Sequence, residues 1–163
     1  MYRKILAPLD GSELSECTLG HLMEVAKGCQ VPEVVLLYVV EPYHQGEMHY
    51  RHRYLSEEDI RKRDVEEEAY GKEYLARVAE KVKKDGLSVK TAMAYGIPAE
   101  EIINYAEKNE VDLIIMSTHG RSGITRWALG SVADKVIRHS ITPVLIAAPR
   151  SCRVSLASEA DED

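Results

Sequence analysis

The sequence predicts an α/β fold: one doubly wound, five-stranded parallel sheet with helices on both faces. Short apolar runs alternate with helix-like segments from one end of the chain to the other, and this alternation implies right-handed crossovers between parallel strands. The length of 163 residues fits a single domain. Apolar residues make up 45% of the chain and charged residues 29%, as in an ordinary folded globular protein.

The first three predicted elements are a strand, a capped helix and a second strand. The segment Lys4–Pro8 is short and apolar, as in a buried strand. The continuous β-branched run Glu33–Val40 is typical of a strand covered on both faces. Between them, Ser12 can cap a helix whose predicted inner face carries Thr18, Leu22, Val25, Ala26 and Cys29.

A long charged helix and a third strand come next. Ser56 and Asp59 resemble a capping box at the start of this helix. Gly86 ends it, and Ser88–Tyr95 is the third predicted strand. The apolar stripe of the helix includes Leu75, Val78, Ala79 and Val82.

The last part of the chain repeats the alternation twice. Pro98 suits the first turn of a short helix, whose apolar residues include Ile102, Ile103 and Ala106. The remaining predicted elements are the fourth strand Val111–Ser117, the fourth helix Ser131–His139 and the fifth strand Pro143–Ala148.

The chain ends in an acidic segment. Residues 1–149 are predicted to form the domain, and the polar, acidic residues 150–163 are expected to be a disordered tail. The net charge is −6 for the whole chain and −4 for residues 1–149. A mildly acidic domain lacks the basic patch of a nucleic-acid-binding protein, so no nucleic-acid partner is expected.

The composition also predicts the compartment. No apolar stretch is long enough for a signal peptide or a membrane span, so a cytoplasmic protein without a membrane partner is expected. Cys17 and Cys29 fall too far apart on one predicted helix to form a disulfide. All three cysteines, including Cys152, are expected to be reduced.

Two loops carry the features of a ligand site. Doubly wound sheets bind ligands beyond the carboxyl ends of their strands, where the winding reverses. The loop after the first strand contains Asp10, and the loop after the fourth leads through several glycines to a helix that begins near Gly130. Glycines and a helix N-terminus together form a suitable phosphate cradle. Neither GxxxxGK[ST] nor GxGxxG occurs, so P-loop and dinucleotide fingerprints are missing.

These segments resemble the universal stress protein family over residues 2–149. The opening KILAPLDGS, the segment GIPAEEI, the run STHGRSGITRWALGS and the following TPVLIA all fit the family. The nucleotide-binding branch carries G-x2-G-x9-G-[ST], and Gly120 and Gly130-Ser131 have that spacing, with Ser117 in place of the first glycine. The resemblance implies the strand order 3-2-1-4-5 and an ATP-binding stress-response or signalling module whose nucleotide state modulates partner interactions.

The resemblance also implies where the nucleoside lies. Asp10 and Pro8, with Leu9 between them, should line the adenosine side. Val39 or Val40, at the end of the second strand, should meet adenine through main-chain groups. ATP is the expected ligand, with AMP or ADP as alternatives.

The phosphates should lie along the loop after Ser117 and at the helix that follows. Beyond the family motif, Arg121 and Arg126 could supply positive charge to a triphosphate, and Mg²⁺ could be held through the phosphates. The groups that the resemblance assigns to the phosphates are mainly the backbone N–H groups of Gly120, Gly130, Ser131 and Val132.

Simpler interpretations exist for the same residues. Asp10 and Ser12 can shape a turn and cap a helix, and Ser131 with Asp134 can form a capping box. An interaction protein of the same fold that binds no nucleotide is therefore an alternative function, although such a protein would be expected to lose Asp10 or Gly130. A third possible function is that of an enzyme. No nucleophile–base pair is apparent, and Asp10 near the phosphates would support only slow hydrolysis of ATP.

Two further expectations concern the segment 41–55 and the last strand. The segment is rich in His and Tyr; a solvated loop that acts as a mobile flap near adenine is expected, rather than a metal site. In the implied strand order, residues 143–148 form an uncharged edge strand. Such edges invite pairing, so a homodimer through this strand is expected.

Overall fold

A computed structural model describes residues 1–42, 56–84, 86–118 and 129–148. These form a five-stranded, all-parallel sheet in the order β3-β2-β1-β4-β5, which confirms the predicted fold class. In chain order the elements are β1 (Lys4–Leu9), α1 (Glu13–Glu16), α2 (Thr18–Gly28), β2 (Glu33–Val40), α3 (Glu57–Lys84), β3 (Val89–Tyr95), α4 (Pro98–Lys108), β4 (Leu113–Ser117), α5 (Ser131–His139) and β5 (Val144–Ala147).

The sheet separates two hydrophobic cores. Side chains alternate between the faces of a strand, so Tyr38 packs with α2 and α3 on one face, whereas Leu37 and Val39 pack with α4 and α5 on the other. β1 and β2 pair in register from Lys4↔Glu33 to Leu9↔Tyr38. Both faces of the central strands are covered, which explains why their sequences are continuously apolar.

The first predicted helix is two helices. α1 and α2 meet at Cys17, which is the C-cap of α1 and the N-cap of α2. As predicted, Ser12 caps the start, because its Oγ accepts a hydrogen bond from the Ser15 N–H at 3.1 Å. The hydroxyl groups of Ser15 and Thr18 donate to carbonyls three residues back, at 2.8 and 2.7 Å. Such local bonds compete with regular helix, which accounts for the break.

α3 is the longest element, and the capping box predicted at its start is confirmed. The Ser56 Oγ accepts from the Asp59 N–H at 3.1 Å, and the Asp59 carboxylate accepts from the Ser56 N–H at 3.3 Å. Further along, α3 approaches β2 closely at Gly71, where a Cβ atom would lie 2.7 Å from the Tyr38 ring. Between Ile60 and Gly71 no residue of α3 is buried, so this half of the helix is available to line a site.

The remaining expectations about the whole chain have mixed outcomes. The expectation of reduced cysteines is wrong for Cys17, which is disulfide-bonded, whereas Cys29 is free. In the described part of the chain, no helix combines the length and apolar character needed to cross a membrane. The tail 150–163 and most of the segment 41–55 lie outside the described residues.

Candidate functional site

A cavity of about 880 Å³ lies at the carboxyl ends of β1, β2 and β4. β1 and β4 are neighbours in the sheet, and the winding of the chain reverses between them, so the cavity occupies the place where doubly wound sheets bind ligands. Its volume lies within the range of small-molecule sites. Eight predicted site residues line it, namely Pro8, Leu9, Asp10, Val39, Ser117, Gly130, Ser131 and Val132.

The loop after β1 holds Asp10 at the cavity wall. One oxygen of its carboxylate, Oδ1, accepts from the Ser12 N–H at 3.0 Å and from the Ser12 hydroxyl at 2.6 Å. The turn needs Gly11, which has φ +85° and would place a Cβ atom 2.8 Å from the Tyr70 hydroxyl oxygen. Asp10 therefore shapes the turn and also lines the cavity, and the two roles coexist.

At the end of β2 the side chains of Val39 and Val40 lie in different places, and the main-chain contact with adenine expected of one of these residues stays a prediction. Val39 lines the cavity, whereas the side chain of Val40 is buried in the core on the α3 face and is not among the lining residues. The carbonyl oxygen of Val40 accepts from the Gly96 N–H at 3.0 Å. The Val40 carbonyl therefore already has a hydrogen-bond partner, the residue that follows β3.

The N-terminus of α5 faces the cavity without a side-chain cap. Gly130 is the N-cap residue, and it makes no side-chain cap hydrogen bond. The capping box expected from Ser131 and Asp134 is therefore wrong; the Asp134 carboxylate instead accepts from Nε of Arg138, with both oxygens at 2.9 Å. The first turn of a helix has N–H groups without intrahelical partners, so this end can receive an anion.

One group of the expected phosphate cradle has another partner. The Gly130 N–H donates to the carbonyl of Thr118 at 2.7 Å, which ties the start of α5 to the end of β4. Ser131 and Val132, whose N–H groups belong to the first turn of α5, both line the cavity. The expected phosphate contacts Gly120, Arg121 and Arg126 lie outside the described residues.

The N-terminal half of α3 forms a cavity wall that the sequence analysis missed. Its lining residues follow one face of the helix, at Arg63, Glu66, Glu67 and Tyr70, with Asp64 beside them. The charged residues of a long helix ordinarily face solvent, so the wall was not predicted. The sequence nevertheless indicated such a wall: polar residues recur with helical spacing at positions 63, 67 and 70, just before the buried stripe of the helix begins.

Three tyrosines pack beneath this wall. Tyr38 is fully buried, and its ring centroid lies 6.3 Å from that of Tyr70 and 6.1 Å from that of Tyr74. The Tyr38 hydroxyl donates to Oε1 of Glu67 at 2.6 Å. The hydroxyl of Tyr74 is buried near Ser15 without a well-formed hydrogen bond in the described part of the chain, and burial raises the pKa of Tyr74 far above its usual value.

The cavity has an uneven charge. Among the described lining residues, five are acids and only Arg63 is a base. The acids lie just after β1, just after β2 and on α3. The N-terminus of α5 approaches the cavity from the face of the sheet opposite α3. No group of three or more His, Cys, Asp or Glu residues in the described ranges could hold a metal ion. The histidines of the segment 41–55 are outside those ranges.

Sequence comparison decides the family. A sequence model described as Universal stress protein family matches residues 1–148. The chain belongs to the universal stress protein family. The universal stress protein MJ0531 of Methanocaldococcus jannaschii is 36% identical over 152 residues, covering 90% of this chain and 82% of MJ0531.

Solved structures of similar proteins share the fold. The structure of MJ0577, a universal stress protein of the same organism, has a TM-score of 0.76 and 33% identity, covering 91% of this chain and 96% of that one. Two members have been solved with adenine nucleotides. One is in complex with cAMP, at 20% identity and a TM-score of 0.65; the other, from Arabidopsis thaliana, has AMP bound, at 16% identity and a TM-score of 0.63. The two cover 90% and 89% of this chain, and 97% and 90% of their own chains.

Proposed function

We propose that this universal stress protein binds an adenine nucleotide, with ATP as the main ligand, and that the bound nucleotide modulates its interactions with a partner. The observation that carries the proposal is the cavity itself. It brings Asp10, Val39 and Ser117, from three separate strand ends, together with the uncapped N-terminus of α5. Residues at these positions are those that the family resemblance assigns to nucleotide binding.

The charge distribution supports one orientation of the ligand. The phosphates carry the negative charge of ATP, so they are repelled by the acids of β1, β2 and α3. The first turn of α5 offers N–H groups and the positive end of a helix dipole. We therefore place the phosphates at Ser131 and Val132, and the nucleoside between Asp10 and Val39.

Relatives with known ligands are consistent with this function. Proteins of this fold hold cAMP in one case and AMP in another. At 20% and 16% identity, this likeness shows the fold alone. The proposal consequently rests on the cavity of this chain.

Calorimetric titration with ATP, ADP and AMP, with and without Mg²⁺, tests the proposal. Gly130→Val is the decisive variant. Gly130 has φ −60° and ψ 148°, an extended conformation that valine adopts readily, so the fold should persist. The branched side chain would stand at the mouth of the first turn of α5, and we expect ATP binding to be abolished.

A matched glycine substitution provides the control. A Cβ atom at Gly28, at the end of α2, meets nothing within 4 Å, so Gly28→Ala should leave ATP affinity unchanged. Native mass spectrometry of freshly purified protein reports any bound nucleotide. Equal ATP affinity of wild type and a folded Gly130→Val would remove the phosphate assignment. A wild type that binds no nucleotide would favour the interaction-protein alternative, and release of phosphate from bound ATP would favour the slow ATPase.

A further inference from the structure

We infer that Glu67 is a specificity-determining residue of the nucleotide site, which accepts a hydrogen bond from the nucleoside, and that Tyr38 is its positioning residue. The inference rests on the proposed function. It adds a wall from α3, which the sequence motifs do not include. The chemical group that Glu67 would recognise is a hydrogen-bond donor of the nucleoside, either a ribose hydroxyl or the exocyclic amino group of adenine.

The Glu67 carboxylate is held in place from two sides. Its backbone belongs to α3, which packs closely on β2 at Gly71. Its Oε1 accepts from the hydroxyl of Tyr38 at 2.6 Å. Tyr38 is fully buried and packed against Tyr70 and Tyr74, so its hydroxyl cannot follow a moving carboxylate. An exposed glutamate on a helix would ordinarily sample many rotamers, and this one is restrained.

The position of Glu67 suits the nucleoside end of the ligand. Tyr38 is next to Val39 in β2, and Val39 and Glu67 both line the cavity. Asp10 lies on the same cavity, and Tyr70 of α3 reaches the adjacent turn at Gly11. Glu67 therefore lies on the α3 side of the cavity, one turn before Tyr70 and next to the turn that carries Asp10, whereas the side chain of Val39 lies on the opposite face of the sheet. The phosphate end lies at α5, on the other face of the sheet.

The chemistry of a carboxylate restricts what it can recognise. An ionised carboxylate accepts hydrogen bonds and donates none, and it has about four acceptor sites. It can therefore accept from a ligand in addition to the Tyr38 hydroxyl. Ribose hydroxyls and the adenine amino group are donors, whereas phosphate oxygens are repelled. Loss of a charged hydrogen bond of this kind typically lowers affinity by about ten- to a hundredfold.

Titration of Glu67→Gln with three nucleotides tests the inference. The glutamine keeps the shape and removes the charge, and we expect about a tenfold loss of ATP affinity. 2′-DeoxyATP lacks a ribose hydroxyl, and inosine triphosphate lacks the exocyclic amino group. The analogue without the recognised donor should bind wild type and Glu67→Gln with more similar affinities than ATP does, so titration with both analogues identifies the donor. Tyr38→Phe, which removes only the anchoring hydroxyl, should reduce the preference for ATP over that same analogue. A purely structural role of Tyr38 would leave the preference unchanged.

Glu66→Gln is the matched control. Glu66 lines the cavity beside Glu67 but is more exposed, and its substitution changes the net charge by the same amount. Equal losses of ATP affinity in Glu66→Gln and Glu67→Gln would show a general charge effect and overturn the inference. An unchanged preference of Glu67→Gln for ATP over both analogues would also overturn it. In either case ATP binding by wild type would leave the proposed function intact. A wild type that binds none of the nucleotides would overturn both.

Discussion

At the level of a single residue, Asp10 both organises a turn and lines the candidate site. Its carboxylate organises the turn through Ser12 and lines the cavity. We expect Asp10→Ala to weaken adenosine and ATP binding to the same extent, because the proposed orientation of the ligand places the residue at the nucleoside and not at the phosphates. Calorimetry with both ligands measures this. Ser12→Ala disturbs the same turn but keeps the carboxylate, so it should affect stability more than affinity.

Asp112 makes the stability of the fold depend on pH. Its Oδ2 accepts from the N–H groups of Arg3 at 2.7 Å and Lys4 at 2.9 Å. These bonds hold the pKa of Asp112 below its usual value. Because the pKa is lower in the folded state, the contribution to stability is fully present above the unfolded pKa of about 3.9 and is lost as pH falls through the folded pKa.

The variant Asp112→Asn tests this dependence. At neutral pH we expect a loss of about 1 kcal/mol in the free energy of unfolding, a modest value because the site is partly exposed. Urea denaturation at pH values from 7 down to about 3 should show the difference from wild type shrinking at the acidic end. Glu24→Gln, an exposed acid of α2, should behave like wild type. A pH-independent difference for Asp112→Asn would contradict the assignment.

At the level of elements, the start of α3 is stabilised by its own side chains. The Ser56 hydroxyl accepts from the Asp59 N–H at 3.1 Å, and the first turn carries three acids that complement the helix dipole. Ser56→Ala should lower the free energy of unfolding by about 1 kcal/mol. Ser131→Ala, at the start of α5 where no side chain caps the helix, should cost much less. If both substitutions lower the free energy of unfolding equally in chemical denaturation, the capping box is not what stabilises the start of α3.

The connection between β2 and α3 begins at the cavity. Glu41 lines it, and α3 returns along its wall, so the segment 41–55 joins two parts of the candidate site. We expect ATP to slow hydrogen exchange in this segment, because a bound nucleotide would lie against both ends. Exchange followed by mass spectrometry measures this, with α2 as an internal reference. Unchanged exchange at saturating ATP would argue against a flap.

At the level of the whole molecule, β5 is an edge strand, and we propose that it mediates a homodimer. It is paired with β4 alone in the described sheet, and Val144, Leu145 and Ile146 are only partly buried. Ile141 nearby is 83% exposed. Leu145→Lys should produce a monomer in light scattering, because it places a charge within the edge. Val65→Lys adds the same charge to an exposed position of α3 and should leave the dimer intact. A wild type that is monomeric at micromolar concentration would contradict the proposal.

The sequence by itself determined the architecture and the location of the cavity. Strand and helix alternate with clear periodicity, so the element types followed directly, and the bounds of β2 and α5 were predicted to the residue. The strand order came from the family resemblance, and the loops after β1 and β4 met because parallel strands end at one edge. These features depend on local pattern and on general rules of winding, which a sequence carries.

Only the tertiary structure decided which residues line the cavity. That Val39 and not Val40 lines the cavity depends on the register and pleat of β2, and the engagement of the Gly130 N–H depends on the position of Thr118. The break at Cys17 follows from local hydroxyl bonds that compete with the helix. The wall of α3 was hidden because a polar helix face looks the same whether it meets solvent or a cavity. Its direction is set by the packing of Gly71 on Tyr38, a contact between distant parts of the chain that no local pattern encodes.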